Sequence, residues 1–411
     1  MPAALGHLRI CDFTGQLAGA GATKYLAAMG AQVIRIEDPV RQGRWDILRG
    51  MPPYVDERRG VNLSGAFNNH NTDKLGVTIN LRTEAGRDLV RRLIAISDVV
   101  TENFAAGVLA RLGFSYEEMT RIRPDVIYVS NSGFGATGPY RSFKTWGPIV
   151  QAMSSLTFSS GIANHGPAGW GYSYMDHQGA NVMAVAILAA LLHRRRTGEG
   201  QWVDMGCTEA GAWLNGLALL DVSANGRVYR DGVAPDSNHS RSPAMAPHGI
   251  YPARGDDRWV AIACRHDQDW AQMVAVVGEA WTRASELVAL AGRVAAEPDL
   301  DRRLAEWTAT HDAADVAARL QAAGVPAATV ATPEERIERD PGTSQWGLWP
   351  EVEHTEIGRV RVDGIPIHLS VTDWNITRGA PCLGEHNDYV FGEVLGLAAD
   401  EIAALREQGA I

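Results

Sequence analysis

Two short apolar runs, LRICDF (8–13) and AQVIRIE (31–37), flank TGQLAGAGATKYLAAMG (14–30), a stretch of small and helix-forming residues. The pattern predicts a strand, a helix over about 21–29 and a second strand. Such a βαβ unit commits a chain to a parallel sheet with helices packed on its faces. The same texture returns further on. LGVTINL (75–81) reads as a strand, and residues from about Thr83 to Ile96 read as a helix with apolar positions at helical spacing. SDVVTENF (97–104) and DVIYVSNSGFG (125–135) are apolar strands running into polar, turn-forming ends. Ligands of open α/β sheets gather at those carboxyl ends.

From about residue 226 the texture changes. SANGRVYRDGVAPDSNHSRSPAMAPHG is rich in Ser, Asn, Gly and Pro and reads as a linker or loop. WVAIAC (259–264), helices near 267–294 and 300–323, and VPAATV (325–330) then point to a smaller α/β domain. The expected fold class is α/β, with a Rossmann-like large domain built from both ends of the chain. Its first part spans 1–225, the small domain 226–330, and a return segment 331–411, which ends in the helix ADEIAALREQ.

Composition narrows the function. With 411 residues, 45% hydrophobic and 21% charged, the chain can bury a full core. A formal net charge of −10 argues against a basic stripe for a nucleic-acid backbone, so no nucleic-acid partner is expected. Cys11, Cys207, Cys264 and Cys382 show no CxxC spacing, which excludes a zinc knuckle and fits a reducing cytoplasm. No metal is expected. The start MPAALGHLRI lacks the features of a signal peptide, and VMAVAILAALL (182–192) is too short to span a bilayer and reads as a buried core helix. The expectation is a cytoplasmic protein with no membrane partner.

The first turn looks like a dinucleotide fingerprint, but only in part. Gly19 and Gly21 fit the first two glycines, the third falls on Lys24, and the polar TGQLA intervenes before the helix. Small residues that let a helix approach a sheet explain Ala18–Ala22 equally well. The company this turn keeps is more specific. NTDKLGVTINL (71–81), DVVTENFAAGVLARLGF (98–114), SGFGATGPY (132–140), ILAALLHRRRTGEGQWVD (187–204) and LGEHND (383–388) follow in order. Together with the opening they resemble the family III CoA-transferases, of the formyl-CoA transferase and carnitine CoA-transferase type. The resemblance implies an enzyme that takes coenzyme A as substrate, with no tightly bound cofactor. It implies acyl-CoA and a carboxylic acid as the reacting partners, and an interlocked homodimer.

Asp176 stands where a helix should begin, ahead of an almost wholly apolar stretch that ends in His193, Arg194, Arg195 and Arg196, with Gly198 placed to stop it. An Asp there is ordinarily a cap that accepts backbone N–H bonds. A helix apolar all round is buried, however, so its start points into the interior or a cleft. The resemblance implies that Asp176 is the nucleophile. It would attack the donor thioester to form an acyl–aspartyl anhydride, which CoA thiolate converts to an aspartyl-CoA thioester, and the acceptor acid would reverse these steps. Backbone N–H groups around Gln178 and Gly179 are candidate oxyanion donors. Trp170, Tyr172, Tyr174 and Met175 are candidates for an apolar wall around the substrate.

The resemblance carries the basic residues Lys74, Arg111 and Lys144 over as contacts to the CoA nucleotide. Asn71, Asn103 and Phe104 lie at strand ends, where they can line an adenine or pantetheine path, Leu17 and Ala18 would contribute backbone near the pantetheine, and Gln16 and Leu75 complete the expected CoA contacts. Three positions depart from the family pattern. Leu17 replaces a polar residue, with Gln16 one place earlier. Asp38 replaces a base for which Arg41 or Arg44 would have to substitute, and no glycine run occurs between 226 and 260. α-Methylacyl-CoA racemases share this fold but use a His in a GHD element. This chain has KTWGP there, and the Trp146 indole cannot act as a base. A local capping role suits His177 better. A catalytically silent CoA-binding subunit is the other alternative, and the presence of Asp176 argues against it. Succinyl-CoA as donor, with a dicarboxylic or aromatic acid as acceptor, is the expected chemistry.

Overall fold

A computed structural model of the chain describes residues 3–161, 166–169, 173–227, 238–241 and 243–411. They form two compact units. The larger comprises Met1–Thr157, Gly169–Gly216 and Pro341–Ile411, and the smaller comprises Phe158–Ala168 and Leu217–Asp340.

The larger unit is built on six parallel strands: β1 (Arg9–Asp12), β2 (Gln32–Glu37), β3 (Leu75–Thr78), β4 (Val99–Glu102), β5 (Ile127–Ser132) and β6 (Trp202–Gly206). Their order, β3-β2-β1-β4-β5-β6, is that of a doubly wound Rossmann-like sheet. The first five strands lie where their apolar runs predict. β6 reads differently, because WVDMG is an edge strand with Trp202 and Asp204 exposed and lacks the continuous apolar run of its neighbours.

Helices cover both faces. On one, Leu89, Val90, Leu93 and Ile94 of the helix Glu84–Ile96 pack with Phe114 and Met119. Val390, Phe391 and Ile402 of the C-terminal segment join the same core. On the other face, Leu26 and Ala27 of the helix Ala18–Ala28 pack with Met175, Met183 and Ile187 of the long helix Tyr174–Thr197, over Ile10, Val33, Val99 and Val129. Each fully buried Leu, Ile, Val or Met side chain among these contributes about 1.5–3 kcal/mol. The two helices meet through small residues. A methyl group on Gly21 would lie 3.1 Å from Ala180 Cβ. Gly19 and Gly21 therefore serve close packing, and Lys24, at the third glycine position, is buried with its ammonium 2.7 Å from Asp363.

The long helix differs from expectation in two ways. Only one face is buried, through Met175, Gly179, Ala180, Met183, Ala184, Ile187 and Ala190, while Val185, Leu188 and Leu192 are exposed. It also runs for 24 residues, which makes it long and apolar enough by length and composition to cross a bilayer. Its buried face is nonetheless committed to the sheet and the first helix, and Arg194 is tied to Asp98 at 2.9 Å. Gly198, in a left-handed conformation, ends it as the sequence predicts.

The smaller unit holds a three-stranded antiparallel sheet, His248–Pro252, Trp259–Ala263 and Ala327–Thr329, over a core that includes Trp270, Leu304, Val316 and Leu320. The helical region expected over 267–294 breaks at left-handed Gly278. That expected over 300–323 is two helices, Glu297–Thr308 and Ala313–Ala322, because Asp312 caps the second through the N–H groups of Ala314 and Asp315.

Candidate active site

In a doubly wound sheet the strand connections diverge at one point, leaving a crevice at the carboxyl ends of the two central strands. Here those strands are β1 and β4. Gln16, Leu17 and Ala18 follow β1, Asn103, Phe104, Ala105 and Ala106 follow β4, and together they line a cavity of about 520 Å³. A dense polar network fixes the turn after β1. Asn103 accepts from the Gly15 N–H at 2.8 Å and donates to the Gly15 carbonyl at 2.9 Å. Buried Asp12 accepts from the Thr14 N–H and from the hydroxyls of Thr14, Thr23 and Thr101. Arg35 donates to the Thr14 carbonyl at 2.6 Å. Gln16 consequently holds a φ of 54°, in the left-handed region that a non-glycine residue keeps only when its surroundings over-determine it.

Asp176 opens into this cavity. It is the third residue of the long helix rather than the residue before it. The cap position belongs to Ser173, which makes no side-chain cap bond but donates to the Asp176 carboxylate. The carboxylate is thus free of the capping duty that an Asp near a helix start ordinarily has. Burial raises its pKa above the usual aspartate range, and the Ser173 hydrogen bond offsets part of that rise. Gly147, the first residue of the helix Gly147–Met153, passes so close that a methyl group there would overlap Asp176 Oδ2. Cys207 also lines the cavity and donates to Asn131 Oδ1 at 3.0 Å. Its thiol is pushed up to about 12, first by burial and then by the Asp176 charge, so it stays neutral and is no rival nucleophile.

The structure brings Gln16, Leu17, Ala18, Asn103, Phe104, Lys144 and Asp176 to one cavity and places other candidate residues elsewhere. Because the helix starts at Tyr174, the N–H groups of Gln178 and Gly179 fall within its own hydrogen-bond ladder. Gln178 borders a separate groove, and Gly179 makes room for Cys207, whose Sγ would lie 2.8 Å from an added methyl group. Asn71, Lys74 and Leu75 are buried. Lys74 donates to the Ala20 carbonyl at 3.0 Å and to Asn71 Oδ1 at 2.9 Å, and lies 3.5 Å from Asp12, behind the turn rather than at the cavity. Burial lowers its pKa to about 7. Arg111 lines a second, adjoining cavity. Tyr174 packs against the core beneath the long helix, Met175 is fully buried there, and Trp170 and Tyr172 lie outside the described residues.

The aromatic wall instead comes from Trp45, Phe104, Phe134, Phe143 and Trp146. Trp45 and Phe104 have ring centroids 5.1 Å apart, and Phe134, Tyr140 and Phe143 contact one another in the loop after β5. The segment SGFGATGPY carried the one sequence signal for that loop, since Gly135 and Gly138 both take left-handed conformations.

A half-buried carboxylate, uncommitted to capping and set in the crevice of a doubly wound sheet, marks an α/β enzyme. Comparison with known proteins makes the class specific. The profile of CoA-transferase family III matches residues 5–387. A succinyl-CoA–D-citramalate CoA-transferase of Chloroflexus aurantiacus is 30% identical over 411 residues, covering 100% of this chain and 98% of its own. A succinate–glutarate CoA-transferase of Agrobacterium fabrum is 32% identical, covering 95% of both chains. A formyl-CoA:oxalate CoA-transferase of Streptomyces coelicolor is 31% identical, covering 99% of both. The crystal structure of a CaiB/BaiF family protein from Brucella suis superposes with a TM-score of 0.86 at 28% identity, covering 96% of this chain and 100% of its own. The chain belongs to family III of the CoA-transferases, enzymes whose substrates include coenzyme A.

Proposed function

We infer that the protein moves CoA from an acyl-CoA donor to a free carboxylic acid through covalent intermediates on Asp176. The observation that carries this reading is the position of that carboxylate. It is exposed to the cavity, held by Ser173, and is the only acidic side chain among the described residues that line it. In the first step a carboxylate oxygen attacks the thioester carbonyl and CoA leaves as thiolate, giving an acyl–aspartyl anhydride. The thiolate then attacks the aspartyl carbonyl, releasing the donor acid and leaving an aspartyl-CoA thioester. The acceptor carboxylate attacks that thioester and expels CoA thiolate, giving a second acyl–aspartyl anhydride, and the thiolate finally attacks its acceptor-acyl carbonyl, releasing the new acyl-CoA and regenerating the Asp176 carboxylate.

Each step passes through a tetrahedral oxyanion. Gly147 is the first residue of its helix, so its N–H has no intrahelical partner, and it replaces Gln178 and Gly179 as the proposed donor; one such bond is typically worth roughly 3 kcal/mol. Trp45, Phe104, Phe134 and Trp146 supply the apolar surround that protects an anhydride from water. The named relatives act on succinate, glutarate, D-citramalate and oxalate, which supports a dicarboxylic acid as one of the two acids exchanged. A racemase would need a base where Trp146 stands, and no His lines the cavity among the described residues. A homodimer belongs to the same proposal, supported by the apolar side chains that the long helix leaves uncovered.

The test is incubation with succinyl-CoA and other thioesters, trapping with hydroxylamine or borohydride, and mass spectrometry. Asp176 is expected to carry the adduct. Asp176→Ala should abolish it and slow exchange of labelled acid by a factor on the order of 10³ or more. Because burial raises the carboxyl pKa, adduct formation should fall off in acid at a higher pH than an ordinary aspartate would give. An adduct elsewhere, or exchange undiminished in the variant, would refute the assignment.

A further inference from the structure

Asn131 lies in β5 at the carboxyl end of the sheet, and its side chain lines the cavity that holds Asp176. It is 3% exposed, so its amide has almost no water to turn to. The two ends of that amide are unequally served. Oδ1 accepts from the Cys207 thiol at 3.0 Å. Nδ2, with two hydrogens to give, meets the Met183 sulfur at 3.6 Å, and no oxygen accepts from it among the described residues. A thioether is a weak acceptor, and a buried N–H without a strong one is costly unless a ligand satisfies it.

Cys207 fixes which way the amide faces. Its thiol stays protonated, and a reversed amide would set its oxygen against the Met183 sulfur, which has no hydrogen to donate. The NH2 group is therefore held on the side of the long helix. Gly179 clears space there. A methyl group on it would lie 2.8 Å from Cys207 Sγ and 3.8 Å from Asn131 Nδ2. Gly179 stands three residues after Asp176 on that helix, a spacing that puts both on one face, and the Asp176 charge reaches Cys207. Asn131, Cys207 and Asp176 thus form one cluster, while the Gly147 N–H comes from a different helix.

We propose that Asn131 Nδ2 donates to the oxyanion formed at Asp176, with Cys207 as the residue that positions the amide. As an Asp176 oxygen forms the new C–O bond, the π pair of the thioester carbonyl moves onto its oxygen, which accepts the Asn131 N–H without any proton changing hands. The pair returns as the C–S bond breaks and CoA leaves as thiolate. The N–H···O bond is strongest while that oxygen carries the charge, so it favours the transition state over the bound substrate. The assignment rests on Asp176 acting as the nucleophile. It adds a side-chain donor to the Gly147 N–H and gives the neutral thiol beside the carboxylate a task other than attack.

Rapid-quench measurement of CoA release and Asp176 adduct formation from succinyl-CoA tests it. Asn131→Leu, close in volume and without a donor, is expected to slow adduct formation by about 10²–10³-fold, as removal of one oxyanion donor does, with KM for succinyl-CoA unchanged. Cys207→Ala leaves the amide free to turn and should cost about tenfold, the scale of one neutral hydrogen bond. Cys207→Ser, whose hydroxyl also donates to Oδ1, should recover most of that loss. An Asn131 that served packing alone would instead lower the melting temperature without a selective loss of rate. Full-rate adduct formation in folded Asn131→Leu, or equal rates in Cys207→Ala and Cys207→Ser, would overturn the proposal while Asp176 kept its adduct. Absence of any adduct on the wild-type carboxylate would overturn the reading on which the proposal rests, and the proposal with it.

Discussion

The character of Asp176 comes from its immediate neighbours. Ser173 supplies a hydrogen bond, burial pushes the carboxyl toward its neutral form, and Gly147 packs so close to one carboxylate oxygen that only a glycine fits beside it as it stands. Gly147 thereby acts as a positioning residue, because any side chain at that point must displace the carboxylate. Gly147→Ala is expected to slow adduct formation about 10–100-fold, the scale of penalty for misplacing a reacting group by about an ångström. Affinity for CoA should stay unchanged, which calorimetry can check. Retention of full activity would show that the carboxylate works from another rotamer. The sequence could place an aspartate near the start of an apolar helix. It could not show that Ser173 holds the cap position, nor that the glycine opposite is 29 residues earlier in the chain.

The turn after β1 shows how an element acquires its shape from residues that never touch a ligand. Lys74 falls within a motif that the resemblance links to nucleotide phosphates, yet its ammonium lies behind the turn on the Ala20 carbonyl, Asn71 and Asp12. Lys74→Met should destabilise the fold by about 2 kcal/mol through the buried Asn71 oxygen left without its donor and Asp12 left without its cation, measured by urea denaturation. The pH dependence has a definite sign. The folded amine loses its proton near pH 7, whereas an unfolded lysine holds it to about 10.4. Between those values the unfolded chain binds more protons, so wild-type stability rises with pH. The variant lacks that slope, and the cost of the substitution should therefore widen from pH 7 to 10. If Lys74→Met instead left stability intact and weakened only CoA binding, its place would be at the ligand. Periodicity located the strands and the helix on either side of this turn. Burial of a lysine depends on contacts from β1 and from the first helix, which spacing along the chain does not encode.

At the scale of the whole molecule, the long helix presents a face that a single chain leaves uncovered. Val185 is 66% exposed, Leu188 and Leu192 are also exposed, and Trp213 of the helix Cys207–Leu214 lies exposed beside Val185. Leu188→Lys places a charge on that face without touching the buried one. It is expected to shift the sedimentation of a dimer toward that of a monomer, with the melting temperature showing whether the subunit still folds. A wild-type chain that sediments as a monomer would remove the homodimer from the proposal. The sequence by itself determined the parallel sheet, the helices on its faces and the family, because apolar periodicity and ordered motifs are local and survive without coordinates. The tertiary structure decided which of the motif residues meet. Asp176, Asn103 and Gln16 converge because sheet order brings the ends of β1 and β4 together under the long helix, while Lys74 and Asn71, equally prominent in sequence, are turned into the core. Convergence is set by strand order and by long-range polar contacts such as Asn103 to Gly15 and Arg35 to Thr14, pairings between residues far apart in the chain that no local pattern specifies.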